Sequence, residues 1–351
     1  MNPSILLLSR YYTLTVEFIV TGGAGFIGAN LVKRLLDVYG NNLDLRIDIL
    51  DCLTYSSNVK SLPLHDNRVK LHEVDISNSQ QIRLYLKNNY AFSSPTVFHL
   101  AAESHVDRSI ADGSNFITTN VSGTFNMITL AHEISVECFV HVSTDEVYGS
   151  VDFSSSDETS PLNPTSYYSS SKASSDLVAL SAYKTLGLPV VVSRCVNNFG
   201  EGQHPEKFLP RMIERLSRNL SLPVYGDGLN IREWIYVQDH VTALLALSKS
   251  DFAGEVFNIG TGLRLSNLDI VNKLINFSNS SSEIEFIPDR LGHDRRYALN
   301  SAKIKNATTW QVLDSEIKFD TYLQSSLKES ANGNFVENEV FQLSEDFYRG
   351  T

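Results

Sequence analysis

One short run constrains this chain more than any other: Thr21-Gly22-Gly23-Ala24-Gly25-Phe26-Ile27-Gly28. It follows directly on an apolar, β-branched stretch, Thr15–Thr21 (TVEFIVT), which reads as a buried strand. It opens a segment, Asn30–Tyr39, whose Leu31, Leu35 and Val38 recur at helical spacing. Glycines at 22, 25 and 28 between a strand and a helix have a physical reading. One permits the tight turn, another lets backbone approach a diphosphate, and the third allows helix and strand to pack closely. The helix then offers free N–H groups and the positive end of its dipole to an anion. A glycine triplet alone says little. With a strand before it and a helix after it, the run predicts a dinucleotide-binding turn built on Gly22, Gly25, Phe26, Ile27 and Gly28.

The same alternation continues downstream. Leu45–Leu50 (LRIDIL), Val69–Val74, Thr96–Leu100 (TVFHL) and Cys138–Val142 (CFVHV) read as strands, with Asn120–Ile134 as a helix before the last. Ser169–Leu186 predicts a long helix and Leu188–Ser193 a further buried strand. Strands alternating with helices imply crossovers, so the fold class is α/β, a doubly wound parallel sheet of Rossmann type. After residue 194 shorter elements are separated by Gly, Pro and Asn, with strand-like pieces at Trp234–Val237 and Glu255–Ile259 around a helix. The expected organisation is a dinucleotide-binding domain over 14–193, with a returning segment 234–262. A smaller substrate-binding lobe, 194–233 and 263–323, would sit at the sheet's C-terminal edge, where open α/β sheets bind ligands. Residues 1–13 read as an N-terminal extension and 324–351 as a polar, acidic tail or loose helix.

A carboxylate ending the second strand would accept ribose hydroxyls. Asp51 is placed for that, with Asp48 as its rival. No arginine immediately follows Asp51 to welcome a 2′-phosphate, so NAD is preferred over NADP. Asp75 and Ile76, after the third strand, are candidates to flank the adenine. Leu100, Ala101 and Ala102, after the fourth, are small or apolar enough for close backbone approach to the cofactor.

Composition excludes several alternatives. Formal net charge is −11 with no run of Lys or Arg, which argues against a sequence-independent grip on nucleic acid. Cys52, Cys138 and Cys195 are far apart and odd in number, without CxxC or Cys/His spacing, which argues against structural disulfides and bound zinc alike. No segment reaches the roughly 18 apolar residues a membrane span needs. The apolar run Ile5–Leu8 is too short for a secretory signal, so a cytoplasmic location is expected.

Two segments carry candidate chemistry. Tyr168 and Lys172 stand at i and i+4 at a helix start, hence on one face. A phenol is a poor base at neutral pH, and a neighbouring ammonium favours its ionised form. Tyr167 lies five residues from Lys172 and faces elsewhere. Thr144-Asp145-Glu146, after strand Cys138–Val142, adds a hydroxyl and two adjacent carboxyls. Neighbours on an ideal strand face opposite sides, so Asp145 and Glu146 reach one ligand only if the chain turns there.

Together these segments resemble the extended short-chain dehydrogenases and, among them, the dTDP-glucose 4,6-dehydratases. The resemblance runs from about residue 16 to 320 through TGGAGFIG, DCLTYSSN, HLAAESHVDRSI, HVSTDEVYG, YYSSSKASSD, NNFGEGQHPEK, REWIYVQDH, FNIGTG and DRLGHDRRYAL. It implies that Tyr168, with Lys172 and Thr144, takes the proton of a sugar 4-hydroxyl as hydride leaves C4 for NAD. Glu146 would abstract the C5 hydrogen, Asp145 would protonate the departing 6-hydroxyl, and hydride would return to C6. It further implies Leu53, Thr54, Thr119 and Asn198 as cofactor contacts. Ser104, Asn197, Lys207, Phe208, Pro223, Tyr225, Arg232, Asn258, Arg290 and His293 would be contacts to a nucleotide-diphosphate hexose. Such enzymes pair helices 120–134 and 169–186 in a homodimer.

The sequence departs from the pattern at Gly200-Glu201-Gly202-Gln203-His204, which lacks the proline and aromatic expected before Pro205-Glu206-Lys207. That bears on loop shape and nucleotide preference. The competing readings are a nucleotide-sugar epimerase or decarboxylase of the same fold, which usually carries Ser or Thr at the position of Asp145, and a non-catalytic NAD-sensing protein, which would have lost the tyrosine, lysine or acid pair.

Overall fold

A computed structural model describes residues 16–89, 93–278 and 280–332. Residues 1–13 and 333–351, read as the extension and most of the tail, lie outside them. Strand β1 (Val16–Thr21) enters the glycine turn and helix α1 (Phe26–Tyr39) leaves it. Then come β2 (Leu45–Asp51), β3 (Val69–Glu73), α2 (Ser79–Asn88), β4 (Thr96–His99) and the short α3 (Val106–Ala111). A continuous helical rod follows, composed of α4 (Ser114–Phe116), a π-helical stretch Ile117–Gly123, and α5 (Thr124–Glu133). Strand β5 (Cys138–Thr144), helix α6 (Tyr167–Leu186) and strand β6 (Val190–Cys195) complete the first half.

The second half is β7 (Asn197–Phe199), α7 (Phe208–Ser217), β8 (Leu222–Tyr225), β9 (Ile231–Tyr236), α8 (Val237–Leu247) and β10 (Val256–Ile259). It ends with β11 (Arg264–Ser266), α9 (Asn267–Ser278), β12 (Ile284–Ile287), α10 (Ala302–Ala307) and α11 (Ser315–Ala331).

Seven strands form one sheet in the order β3-β2-β1-β4-β5-β6-β10, every neighbouring pair parallel. Strand side chains alternate faces, and both faces are covered. Phe18, Val20, Ile47, Ile49 and Val140 join one core layer, while Ile19, Leu50, Val97, Phe139 and Val190 join the layer on the other side. Strand order reverses between β1 and β4, the switch point at which such sheets hold ligands. A third core, with Phe199, Leu209, Trp234, Ile270 and Phe319, lies beneath two small sheets, β11-β9-β7 and β12-β8.

Two elements differ from the sequence reading. Trp234–Val237, read as a strand of the returning segment, lies mostly in β9, which pairs with β7 and β11 rather than with the large sheet. The return begins with α8, which packs on α1, and is completed by β10 beside β6. An apolar strand pattern reports burial but not which sheet it joins. The tail from 324 begins as ordered helix: α11 runs on to Ala331, burying Phe319, Tyr322, Leu323 and Ser330 against α7 and α9.

Candidate active site

The glycine turn sits at the C-terminal end of β1. Gly22 adopts a left-handed φ of +67°, and a Cβ there would come within 2.8 Å of the Ala101 backbone on the neighbouring strand end. A Cβ on Gly28 would collide with the Gly22 carbonyl oxygen, so α1 lies as close to β1 as it does only because residue 28 lacks a side chain. Gly25 caps α1 without a side-chain hydrogen bond, and the first turn carries no acid. The leading N–H groups of α1 therefore have no intrahelical acceptor and are open to an anion such as a diphosphate.

Asp51, at the end of β2, is held in place from three sides. Its Oδ2 accepts from the Ala24 amide at 2.9 Å, and its Oδ1 accepts from the Leu53 amide and the Ser57 hydroxyl, both at 2.9 Å. Leu53 takes a left-handed φ of 55° to make its bond. That conformation costs about 1 kcal/mol for a residue with a side chain, and a hydrogen bond to a carboxylate returns at least as much. Asp51 lines the cleft that opens from the glycine turn. Its rival Asp48 is fully buried, bound by Arg46 at 2.7 Å and by the Tyr85 hydroxyl at 2.8 Å, with His72 at 3.3 Å. Asp48 is a core ion pair and not a ligand for ribose.

The cleft brings most of the expected cofactor residues together. Gly22, Gly25, Phe26, Ile27, Gly28, Asp51, Thr54, Ile76, Leu100, Ala101, Ala102, Thr119, Tyr168, Lys172 and Asn198 all line it, whereas Leu53 and Asp75 do not. Leu53 turns its apolar side chain to the core, and the Asp75 carboxylate accepts from the Ser77 amide at 2.8 Å. The glycine turn, uncapped helix end and ribose carboxylate fit an NAD molecule.

At the other end of the cleft, β5 runs to Thr144 and the chain then tightens into a 3-10 turn, Asp145–Tyr148, with the Thr144 hydroxyl accepting from the Glu146 amide at 3.3 Å. The turn lets both carboxyls line one cleft with Thr144, Tyr168 and Lys172. Helix α6 begins just before Tyr168 because Ser166 and Ser169 form a reciprocal capping box. Gly187 ends the helix in the left-handed conformation.

The two carboxyls sit in different environments. Asp145 is 3% exposed, its Oδ2 accepts no hydrogen bond, and burial, then Glu146 and Glu233, push its pKa well above the usual range. Burial also raises Glu146, but the cations Arg290, Arg232 and Lys207 oppose the rise. Electrostatics therefore favour a proton on Asp145 and a charge on Glu146.

The Tyr168–Lys172 pair differs from the sequence reading in one respect. The Lys172 ammonium donates to the Val142 carbonyl at 2.7 Å, and no bond joins it to the phenol. Burial lowers the Lys172 pKa to about 8, opposed by Asp176. Burial, followed by the charge of Glu146, raises the Tyr168 pKa, with a hydrogen bond to Thr144 opposing. The phenol thus needs added positive charge beside it before it gives up its proton.

The expected sugar and nucleotide contacts divide. Ser104, Asn197 and Lys207 line the cleft, and Lys207 Nζ donates to the Ser104 carbonyl at 3.1 Å. Arg232, stacked 4.3 Å over Tyr297, and Arg290, 3.4 Å from Asp107, act on Glu146 from the lobe side. Phe208, Pro223, Tyr225 and His293 belong to the lobe outside the cleft lining, with the Tyr225 and His293 rings 6.1 Å apart. Asn258 is a correction. It is fully buried, its Oδ1 accepts from the Tyr148 hydroxyl at 2.8 Å, and its Nδ2 donates to the Ser156 carbonyl at 3.0 Å. It braces β10, and its side-chain amide is engaged at both ends within the fold rather than offered to a nucleoside.

Residues that the sequence reading passed over also gather here. Arg108 pairs with Glu206 at 2.7 Å and stacks 4.1 Å over the Tyr55 ring, which His204 meets edge-on at 5.5 Å. His204 falls in the stretch that departs from the family pattern, and that departure was the available signal. His240 Nδ1 lies 2.9 Å from Asn198 Oδ1 and fixes that amide. Among the described residues, no helix is long and apolar enough to cross a membrane.

A dinucleotide cleft that opens onto a tyrosine–lysine pair defines an NAD-dependent enzyme of the short-chain dehydrogenase type. Comparison with known proteins narrows this further. Residues 19–325 match the family model described as GDP-mannose 4,6 dehydratase. A dTDP-glucose 4,6-dehydratase of Streptomyces griseus is 44% identical over 295 residues, 83% of this chain and 88% of that one. The crystal structure of DesIV, a dTDP-glucose 4,6-dehydratase from Streptomyces venezuelae with NAD and TYD bound, has a TM-score of 0.84 at 39% identity, covering 93% of this chain and 100% of that one. The UDP-glucose 4-epimerase of Thermus thermophilus, solved with NAD, follows at a TM-score of 0.80 and 25% identity, covering 90% and 99%. The chain belongs to the GDP-mannose 4,6 dehydratase family. It is a hydro-lyase that uses NAD to dehydrate a nucleotide-linked sugar.

Proposed function

We propose that the substrate is dTDP-glucose and that Tyr168, Lys172, Thr144, Asp145 and Glu146 carry out its conversion to the 4-keto-6-deoxy sugar. The observation that carries this reading is the contrast between the two neighbouring carboxyls, one buried with an orphan oxygen and the other faced by three cations. A simple dehydrogenase or epimerase needs no such couple; loss of water needs both a proton donor and a proton acceptor.

NAD supplies a hydride acceptor, positive charge beside the phenol, and later the hydride for C6. Tyr168 Oη, steadied by Thr144, takes the proton from the 4-hydroxyl, and Lys172 lends charge to the phenolate that results. The 4-ketone then acidifies C5. The Glu146 carboxylate removes the C5 proton while the Asp145 carboxyl protonates the 6-hydroxyl, which leaves as water; once hydride has reached C6, the Glu146 carboxyl returns a proton to C5. Lys207, Arg232 and Arg290 provide the cations for the diphosphate, Ser104 and Asn197 hold the sugar end, and Phe208, Pro223, Tyr225 and His293 lie toward the nucleoside. Residues 14–193 with 234–262 serve the cofactor, and 194–233 with 263–323 serve the substrate.

Ile117, Phe125, Tyr167 and Leu177 are exposed on the adjoining helical rod and α6, which supports a homodimer through these helices. Three free cysteines agree with a reducing, cytoplasmic setting. Incubation of the purified enzyme with dTDP-, UDP-, CDP- and GDP-glucose, followed by alkaline absorbance of a 4-keto product, tests the assignment. Preferential turnover of another nucleotide would overturn the choice of dTDP, and absence of any keto product would overturn the reaction.

A further inference from the structure

Lys172 is a thinly supported charge in the cleft. Its residue is only 4% exposed, and its ammonium has one hydrogen-bond acceptor, the Val142 carbonyl. One helical turn further along α6 lies Asp176, fully buried, so that Tyr168, Lys172 and Asp176 follow one another at i, i+4 and i+8 on a single face. Asp176 Oδ2 accepts from Arg194 Nε at 2.9 Å. Its Oδ1 accepts no hydrogen bond: His141 Nε2 is 3.3 Å away but bonds the Ser175 hydroxyl at 3.1 Å. Arg194 is anchored separately, donating to the Tyr148 hydroxyl at 2.8 Å, which in turn donates to Asn258.

We propose that Asp176 is a positioning residue for the reaction, a buried anion behind Lys172 that keeps the lysine charged while Tyr168 handles the substrate proton. This rests on the reading of Tyr168 and Lys172 as the proton-handling pair. Among the described residues, no other anion stands behind Lys172 to do so. From α6 it is faced by Tyr168 and Asp176; from β4 and β5 by His99 and His141, both kept neutral by burial; and from β6 by Arg194, beyond Asp176. Asp145 and Glu146 line the cleft on the phenol's side, where both, Glu146 more than Asp145, favour its neutral form. Consistent with this geometry, Asp176 is what opposes the lowering of the Lys172 pKa by burial. A carboxylate that only balanced Arg194 would have no reason to stand in register with the catalytic pair.

The test measures kcat and KM against pH, together with Tm, for the NAD-loaded wild type, Asp176→Asn, and the double variant Asp176→Asn with Arg194→Met. Activity falls at alkaline pH where Lys172 loses its proton. Removing Asp176 is expected to bring that fall down by roughly one pH unit or more, with KM changed less than about twofold. The double variant removes the stranded guanidinium, so Tm recovers while the shifted pH profile remains. An alkaline limb at the wild-type pH in either variant, or one restored along with Tm, overturns the inference and leaves Asp176 a partner of Arg194 alone. Lys172→Met is the control: wild-type kcat in that variant would overturn the pair itself, whereas a crippled Lys172→Met with an unmoved limb in Asp176→Asn overturns only the role of Asp176.

Discussion

Arg108 Nη2 lies 2.7 Å from Glu206 Oε1, and this ion pair stands behind Tyr55 and His204, which line the cofactor cleft. Around it three segments meet: the turn after β2 through Tyr55, helix α3 through Arg108, and the loop before α7 through His204 and Glu206. His105 adds a second contact to Glu206 at 3.5 Å. The loop is also fastened on its far side, where the Asn30 amide donates to the Glu201 carbonyl at 3.2 Å and the Tyr236 hydroxyl to the Glu201 carboxylate at 2.9 Å.

Arg108→Ala is therefore expected to speed release of NAD, by roughly tenfold for the loss of one charge-assisted contact worth about 1.4 kcal/mol. Displacement of bound NAD by a fluorescent analogue, followed by stopped flow, measures the rate. An unchanged release rate would mean that the clasp does not retain the cofactor.

Asp145→Asn keeps the shape of the turn but removes the acid. Elimination of water should fall by about a hundredfold or more, the usual contribution of a positioned general acid. Oxidation at C4 should survive, so NADH should accumulate in a single turnover instead of being consumed. Single-turnover absorbance of NADH distinguishes this from a general loss of activity.

Glu146 works ionised, and burial raises its pKa despite the three cations. The rate of elimination should accordingly drop as pH falls through a value above that of an ordinary glutamate. Glu146→Gln should abolish this acid limb and lower the rate at every pH. The readout is solvent-deuterium incorporation at C5 across the acid range.

Much of this is legible in the sequence. The glycine turn, the strand–helix alternation, the YxxxK pair and the Thr144–Glu146 run each depend on local spacing, and local spacing is what a sequence displays directly. What escaped was non-local. Nothing around Asn258 announces that Tyr148, 110 residues away, will occupy its amide. Nothing in REWIYV reveals which sheet β9 joins. Asp176 did leave a local trace, an acid eight residues beyond Tyr168 on the same helix face, but its meaning depended on Arg194 arriving from β6.

Asp48 provides a prediction about stability rather than turnover. Burial by itself would raise its pKa, but hydrogen bonds from His72, Arg46 and Tyr85 outweigh that and hold it at about 2. An unfolded aspartate titrates near 3.9, so the ionised group contributes about 2 kcal/mol to folding above that pH. The contribution is lost as pH falls from about 4 toward 2. Asp48→Asn should lower stability at neutral pH by a similar amount and flatten its dependence on pH in that window, as read by urea unfolding.

Among the described residues the polypeptide passes between the large sheet's layers and the smaller lobe at Cys195–Asn197, Tyr236–Val237 and Ile259–Arg264, again between β12 and α10, whose Ile304 joins the large sheet's core, and once more between α10 and α11. A seam sewn at five places leaves little freedom for the clamshell gape by which many two-lobed proteins admit their ligands. Sugar nucleotides should therefore come and go past the rim, through movement of surface segments rather than a swing of whole lobes.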